Sequence, residues 1–363
     1  MRRTRILPKT IVGLDTKLLS LTLLLTVLGL IAVTDASAPL AARDFGNQYF
    51  FVKQQLVWAV IGLVGLFIVS RIPYTFWQKI AVPLFAFNLI LLIAVFIPGI
   101  GPRLLGAKRW IIIGPMSFQP AELMKMSLAI YMAKVGITKD KPIAFFAPII
   151  LVAGLVMLEP DLGTTIVLTL IGMSQVFIAG LPLAYFGMAG GVGILGVLGL
   201  ILGSEYRRER LFTFFKQTSD PLDSGYHIRQ ILLALGSGGL LGVGLGHSRQ
   251  KYSFLPETAT DSIFAIIAEE VGFIGALAFL SLFVYFIYRG IQIAKNAPDD
   301  FSRLLAIGLT VWIGGQVFVN IASMVALVPL TGIPLPFISY GGTALVTNLA
   351  AVGILLNISK NSK

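Results

Sequence analysis

Long uninterrupted apolar runs constrain the fold of this chain most, because they are too long to be helices in a soluble core. Of its 363 residues, 56% are hydrophobic and only 12% are charged. A transmembrane β-barrel would need short segments of alternating polarity instead. The pattern therefore predicts an all-α polytopic membrane protein with about ten spans, at residues 14–36, 52–70, 77–97, 120–136, 143–158, 162–180, 182–203, 261–288, 301–328 and 337–358.

Lysine and arginine in the predicted loops indicate how the spans are oriented. With the N-terminus inside, the cytoplasmic side carries 15 of these residues and the outer side carries 12, of which seven lie in one long loop, 204–260. The first apolar run lacks a small-residue cleavage site, so we interpret it as a retained span that follows a cytoplasmic segment, 1–13. We therefore expect a single membrane domain over 1–363, with both termini inside and the long loop, between spans seven and eight, outside.

Composition limits the chemistry that the chain can perform. The sequence has no cysteine, which excludes disulfides and thiolate chemistry. Only two histidines, His227 and His247, are present, so a histidine-rich metal site is excluded as well. The formal net charge of +11 is scattered along a membrane chain, which indicates orientation and contact with lipid phosphates and not nucleic-acid binding.

The first of three polar clusters on the predicted outer side precedes and enters the fourth span. It contains Lys108, Arg109 and Trp110, followed by Glu122 and Lys125. Glu122 and Lys125 are three residues apart, so they share a helical face and can pair inside the bundle. One interpretation is a structural ion pair with an interfacial tryptophan anchor. The other is that the basic residues hold a phosphate-bearing lipid head group.

The second cluster is the long outer loop. Arg207 and Arg210 share a helical face near its start. Four apolar residues then recur at the spacing of a short helix in the membrane interface: Ile228, Ile231, Leu232 and Leu235. The glycine-rich tract 236–246 has no preceding strand and no Gly-Lys-Ser/Thr ending, so it is typical of a close-packed loop and not of a nucleotide-binding loop. A surface helix flanked by arginines suits a substrate whose tail stays in the membrane.

The third cluster surrounds the start of the eighth span. Lys251 and Glu257 precede Asp261, and Glu269 and Glu270 follow two turns inside the span. A polar side chain near a helix N-terminus is often a cap, which is the simplest explanation for Asp261 or Thr260. Charges at the depth of Glu269 and Glu270 must face a polar interior, so we interpret these carboxylates together as the polar wall of a site.

Three further features are polar or break a helix. Glu159 and Asp161 lie between two spans, where helix capping explains them, and Gln316 and Asn320 are predicted to face neighbouring helices. The stretch 328–343 contains prolines and glycines near the outer face. Irregular backbone at that depth is tolerated only where protein or a cavity satisfies it.

Five segments in order resemble the SEDS family (shape, elongation, division and sporulation), whose members include FtsW, RodA and SpoVE. They run from about residue 101 to 343: "GAKRWIIIGPMSFQPAELMK", "EPDLGTT", "ALGSGGLLGVGLGHSRQKYSFLPE", "TDSIFAIIAEEVGFIG" and "LPFISYGG". The spacing within "GLGHSRQKYSFLPE" and the stretch "FVKQQLVWA" look more like the FtsW and SpoVE branch than the elongation branch.

The resemblance implies a peptidoglycan glycosyltransferase that polymerises lipid II outside the bacterial cytoplasmic (inner) membrane. It implies a class B penicillin-binding protein and other division or elongation proteins as partners. The aspartate of the family's His-Thr-Asp motif maps to Asp261, but Ala259 replaces the histidine and Ser262 replaces the usual phenylalanine after the aspartate. Any auxiliary role of that histidine must be absent here or supplied elsewhere.

On this hypothesis Asp261 is the general base that activates the acceptor hydroxyl in inverting glycosyl transfer. Glu257 would position the acceptor or orient the cations, and Trp110 and Glu122 belong to the same substrate-binding set. Charge on the departing pyrophosphate would be met by some of six basic residues: Lys108, Arg109, Lys125, Arg207, Arg210 and Lys251. No firm cofactor is expected, and a bridging Mg²⁺ or Mn²⁺ ion would depend on bound substrate.

A transporter or flippase of the same lipid-linked precursor is the main alternative, because broken helices and intramembrane charges are also typical of transporters. Against it, the polar features gather on one side of the predicted membrane, and the cytoplasmic loops contain no comparable basic cluster. A membrane scaffold is the third hypothesis. A scaffold would tolerate Asp261→Asn without loss of function.

Overall fold

The computed structural model describes residues 13–102, 107–114, 116–138, 142–202, 208, 224–252, 255 and 257–362. Helices dominate this part of the chain. They are α1 (Thr16–Phe45), α2 (Phe50–Val69), α3 (Tyr74–Ala94), α4 (Pro120–Thr138), α5 (Pro142–Leu158), α6 (Leu162–Ile178), α7 (Leu183–Leu202), α8 (Ser224–Ser237), α9 (Ile263–Lys295), α10 (Asp300–Met324) and α11 (Gly342–Lys360). Each of the ten predicted spans coincides with one helix, and α8 is the short helix predicted within the long loop.

A short antiparallel hairpin lies between α3 and α4. Its strands are β1 (Ile111–Ile113) and β2 (Met116–Phe118), with Ile112 opposite Ser117. Gly114 in the turn has a φ of 59°, a conformation that favours glycine. The all-α prediction missed this hairpin because two three-residue strands are too short to give a recognisable alternation.

Six helices are long and apolar enough to cross a membrane: α1, α2, α3, α9, α10 and α11. The shorter apolar helices α5 and α6 have 17 residues each, close to the lower limit of roughly 17 residues for a membrane span. Helix α4 has 19 residues but carries Glu122 and Lys125 in its first two turns. The helices therefore form a polytopic membrane bundle whose less apolar members need protein around them.

Helices α10 and α11 form the centre of this bundle. In their most apolar stretches, 67% of α10 and 78% of α11 is buried, against 22% for α2, α3 and α9. Helix α11 packs along α2, and α10 contacts α4, α6 and α9. The polar side chains of α4 and α10 are therefore enclosed by protein, whereas the outer helices present apolar faces suited to lipid.

The glycine-rich tract 236–246 packs against a kink in α9. Gly272 has φ 71° and ψ −175°, which interrupts the helix. The tract runs beside the kink, where the Val243 N–H donates to the Glu269 oxygen at 3.0 Å and the Phe273 N–H donates to the Gly239 oxygen at 2.9 Å. A Cβ atom on Gly242 would lie 2.0 Å from the Glu270 backbone oxygen, so only glycine fits. The predicted close-packed loop is confirmed, and it satisfies backbone groups that the kink frees.

Candidate active site

Asp261 lies in the turn immediately before α9, and polar side chains from the bundle centre hold the backbone of this turn. The side-chain amide of Asn320 donates to the Asp261 backbone oxygen at 3.0 Å and to the Ile333 oxygen at 2.8 Å. The Ser339 hydroxyl donates to the backbone oxygen of Thr260. The Asp261 side chain itself is half-buried. The backbone is thus fixed while the side chain stays partly accessible.

Ser262, the next residue, is fully buried and occupies the N-cap of α9. Asp261 thus lies one residue before the N-cap position of α9. Ser262 makes no capping hydrogen bond, and its Oγ lies 2.8 Å from Nε2 of His227 on α8. Ala259, at the position where the resemblance leads us to expect a histidine, is a buried apolar residue. A histidine nevertheless reaches this turn, from a different helix, and no sequence pattern indicated it.

The irregular segment that precedes α11 passes directly beside Asp261. Gly332 has a φ of 69°, and a Cβ atom there would lie 3.3 Å from Asp261 Oδ2. The same segment contacts the start of α6, because a Cβ atom on Gly163 would lie 2.9 Å from that of Thr331. The broken segment thus connects the Asp261 turn to the "EPDLGTT" turn, as expected for irregular backbone enclosed by protein.

Glu122 and Lys125 form the predicted ion pair. Lys125 Nζ lies 2.8 Å from Glu122 Oε1 and 2.7 Å from Gln316 Oε1, and it sits 5.5 Å from the centre of the Trp312 ring. The Lys125 side chain is 0% exposed and that of Glu122 is 2% exposed. Gln316 in turn donates to the Pro334 oxygen at 2.8 Å. The pair therefore anchors the broken segment through Gln316, and its charges face protein groups and not an open site.

Lys251, predicted as a pyrophosphate ligand, is paired with two carboxylates. Its Nζ lies 2.7 Å from Asp35 Oδ1 of α1 and 2.9 Å from Glu270 Oε1 of α9, and its side chain is 4% exposed. Two carboxylates already pair with this ammonium, so it ties the loop between α8 and α9 to α1 and α9. Lys251 therefore belongs to a structural ion pair, and its contact with substrate stays a prediction.

Glu269 and Glu270 likewise have structural partners. Glu269 accepts hydrogen bonds from the hydroxyls of Ser237 and Ser248, the former at 3.2 Å. Glu270 accepts one from the Ser248 N–H at 3.2 Å in addition to its bond with Lys251. The prediction that these carboxylates face polar groups is correct, but those groups belong to the end of α8 and the loop that follows it. Of the carboxylates interpreted as the polar wall of a site, Glu269 and Glu270 thus have structural partners, and the candidate site centres on Asp261.

Arg109 docks on the turn between α5 and α6. Its Nε donates to the Glu159 backbone oxygen at 3.0 Å, and its Nη2 donates to the Pro160 oxygen. Asp161 caps α6 by accepting from the Thr164 N–H at 2.9 Å, which confirms the capping prediction for this residue. The guanidinium keeps further N–H groups that these two bonds do not use.

Glu159, by contrast, is not a cap. Its side chain is 1% exposed, and neither carboxylate oxygen has a hydrogen-bond partner among the described residues. Burial, reinforced by the nearby charge of Asp161 and opposed by that of Arg109, raises the pKa of Glu159 to about 9. A buried carboxyl group without partners is far cheaper to keep neutral than ionised, so Glu159 is a protonated acid at neutral pH.

The remaining predicted site residues lie around this centre or outside the described structure. Lys108 and Trp110 are half-buried in the stretch that leads into β1. Glu257 is exposed, has a φ of 51°, and accepts a hydrogen bond from the Thr260 hydroxyl at 2.7 Å. Arg207 and Arg210 lie outside the described residues. Within the part of the chain that is described, no three histidine, cysteine or acidic residues gather closely enough to hold a metal ion.

Comparison with known proteins identifies relatives over nearly the whole chain. Residues 15–363 match the family model for FtsW, RodA and SpoVE, described as cell cycle protein. Stage V sporulation protein E of Bacillus subtilis is 42% identical over 357 residues, covering 96% of this chain and 98% of that protein. A Geobacter sp. (strain M18) protein named "Probable peptidoglycan glycosyltransferase FtsW" is 39% identical, with 96% and 97% covered.

Solved structures are similar over the same extent. A chain from a structure titled as the structural coordination of polymerization and crosslinking by a peptidoglycan synthase complex aligns with a TM-score of 0.79. It is 28% identical, and the alignment covers 96% of this chain and 98% of that chain. The rod shape determining protein RodA of Thermus thermophilus aligns with a TM-score of 0.71 at 27% identity, covering 96% and 97%.

Proposed function

Because the chain belongs to the FtsW, RodA and SpoVE family of cell cycle proteins, we infer that it is a membrane-embedded peptidoglycan glycosyltransferase. Relatives at 38–39% identity carry the name peptidoglycan glycosyltransferase FtsW. The observation that carries the proposal is a half-buried Asp261 on a turn whose backbone is fixed by Asn320 and Ser339. A firmly placed carboxylate is what proton abstraction from a substrate hydroxyl requires.

The donor in this proposal is lipid II, a disaccharide peptide linked through pyrophosphate to a lipid. Asp261 takes the proton from the acceptor hydroxyl while that oxygen bonds to the anomeric carbon and the pyrophosphate departs with its electron pair. The leaving group is already stable as an anion, so a paired general acid is not needed. The base can therefore act alone, provided that cations meet the pyrophosphate charge.

Among the described residues, those cations are best sought where no carboxylate already pairs the charge. Arg109 is half-buried, and two of its N–H groups bond backbone oxygens and not carboxylates. Lys108 precedes it, and Arg207 and Arg210 belong to the long loop. Arg guanidinium groups suit phosphate oxygens bidentately. We therefore keep Lys108 and Arg109 in the proposed substrate-binding set, and we keep Arg207 and Arg210 on their positions in the sequence.

The cellular setting follows the same proposal. The similar structure of a complex for polymerization and crosslinking supports a partner that crosslinks, which we propose is a class B penicillin-binding protein. The lysine and arginine distribution supports an N-in, C-in orientation in the cytoplasmic membrane, with Asp261 on the outer side. A divalent cation, if used, would bind substrate pyrophosphate together with a carboxylate.

The deciding experiment is polymerisation of purified lipid II by detergent-solubilised protein, with and without the cognate class B penicillin-binding protein. Asp261→Asn should abolish glycan chains, whereas Asp300→Asn, a change at an exposed carboxylate at the start of α10, should not. Chains from Asp261→Asn at the wild-type rate would refute the assigned base. A wild type that makes no chains but moves lipid II between leaflets would instead identify a flippase.

A further inference from the structure

We infer that His227 is a positioning residue that acts through Ser262 to hold the Asp261 turn in its active arrangement. The inference rests on the proposed glycosyltransferase activity, in which Asp261 is the base. It assigns a role to a histidine that lies 34 positions before Asp261 in sequence, beyond the reach of any local pattern.

The contact itself is short and enclosed. His227 Nε2 lies 2.8 Å from Ser262 Oγ, and Ser262 is 0% exposed. Among the described residues, this is the one hydrogen bond that the Ser262 hydroxyl makes. A buried hydroxyl that loses its partner costs free energy, so this bond resists displacement of either group. It therefore fixes the distance between α8 and the residue next to Asp261.

Helix α8 is rigid enough to serve as the support. Ile228, Ile231 and Ala234 are buried, and α8 packs against α9. His227 comes one residue before Ile228, the first of these buried residues. The histidine is thus carried by a helix already docked on the element that Asp261 precedes.

The other polar side chains of the turn have partners of their own. The Thr258 hydroxyl donates to the Ala36 oxygen at 3.2 Å, and the Thr260 hydroxyl bonds Glu257. Asn320 and Ser339 hold the turn from the bundle centre through backbone oxygens. His227, on α8, adds a contact to Ser262, the residue that follows Asp261. Loss of this contact leaves the backbone bonds intact and frees the residue beside the carboxylate to shift.

The test measures kcat and KM for lipid II polymerisation with the cognate partner present. In His227→Phe, kcat should fall by about 10- to 100-fold, because a misplacement of about 1 Å at a reacting group costs up to about 100-fold. KM should change little, since His227 does not contact substrate in this proposal. His227→Gln retains a side-chain N–H and an acceptor oxygen, so it should restore most of kcat.

Three further variants separate positioning from general damage. Ser262→Ala should lower kcat to the same extent, and the double variant His227→Phe/Ser262→Ala should lose no more than either single variant. His247→Phe makes the same chemical change at an exposed histidine whose Nδ1 bonds the Leu245 oxygen of its own loop, so it should match wild type. If His227→Phe does not fold, Ser262→Ala carries the test, because it removes a single oxygen.

The outcomes distinguish this inference from the proposed function. A wild type without polymerising activity overturns the proposed function. An active wild type whose His227→Phe and Ser262→Ala variants keep full kcat overturns the positioning role alone. Losses that add in the double variant would mean that the two residues act independently, which also contradicts the inference.

Discussion

The neutral state of Glu159 leads to a prediction about how stability depends on pH. This residue lies in the turn between α5 and α6, outside both helices, and its pKa is raised from 4.5 to about 9, chiefly by burial. In the unfolded chain Glu159 releases its proton above its ordinary pKa, whereas the folded protein keeps the proton bound until about pH 9. The unfolded state is therefore favoured progressively as pH rises through this window.

The magnitude follows from proton linkage. Each pH unit between the two pKa values costs about 1.4 kcal/mol of folding free energy, so the wild type loses roughly 3 kcal/mol from this group between pH 6 and pH 8. Glu159→Gln has the shape of the protonated acid and does not titrate. The stability advantage of Glu159→Gln over the wild type should thus widen by roughly 3 kcal/mol over the same interval.

Thermal unfolding of the purified protein in detergent at pH 6, 7 and 8 measures this difference. The midpoint of the wild type should fall with pH relative to that of Glu159→Gln. Glu257→Gln is the matched control, because Glu257 is exposed and its removal should leave the pH dependence unchanged. Parallel pH curves for the wild type and Glu159→Gln would show that the buried carboxyl group is not held neutral.

Three other perturbations test the packing and the chemistry. Asp261→Glu keeps the charge but moves it by one methylene, so polymerisation should fall well below wild type, and full activity would argue against a placed base. Lys125→Met leaves the Glu122 carboxylate buried without its cation and should cost about 3–5 kcal/mol, whereas Lys125→Met combined with Glu122→Gln should recover much of the loss in thermal midpoint. Gly242→Ala forces a Cβ atom to 2.0 Å from the Glu270 backbone oxygen and should lower the thermal unfolding midpoint. Gly190→Ala should not, because no heavy atom lies within 4 Å of a Cβ atom there. Equal effects would contradict the close packing at the α9 kink.

The helices and the ion pair within α4 were predictable because their determinants are local. A continuous apolar run predicts a membrane span. Glu122 and Lys125 meet because residues three apart share a helical face. Helix ends were less accurate. The apolar run predicts that α1 ends near residue 36, but the helix continues to Phe45, past Pro39 and past Asp35, which pairs with Lys251.

Partners that are distant in sequence could not be predicted in the same way. In the sequence, nothing distinguishes Lys251 and Arg109 from the other basic residues of the predicted loops. In the structure, Lys251 pairs with Asp35, 216 positions away, and Arg109 donates to the backbone oxygen of Glu159. No sequence pattern predicted the contact of His227 with Ser262, which depends on how α8 packs.

The sequence by itself therefore determined the membrane class, the positions of the spans and the short-range pair, because hydrophobic run length and helical spacing act within a few turns. Only the tertiary structure decided which charges are already paired and which groups hold Asp261. Hydrogen bonds and ion pairs depend on separations of a few ångströms, and the packing of α8, α9 and α10 alone sets those distances.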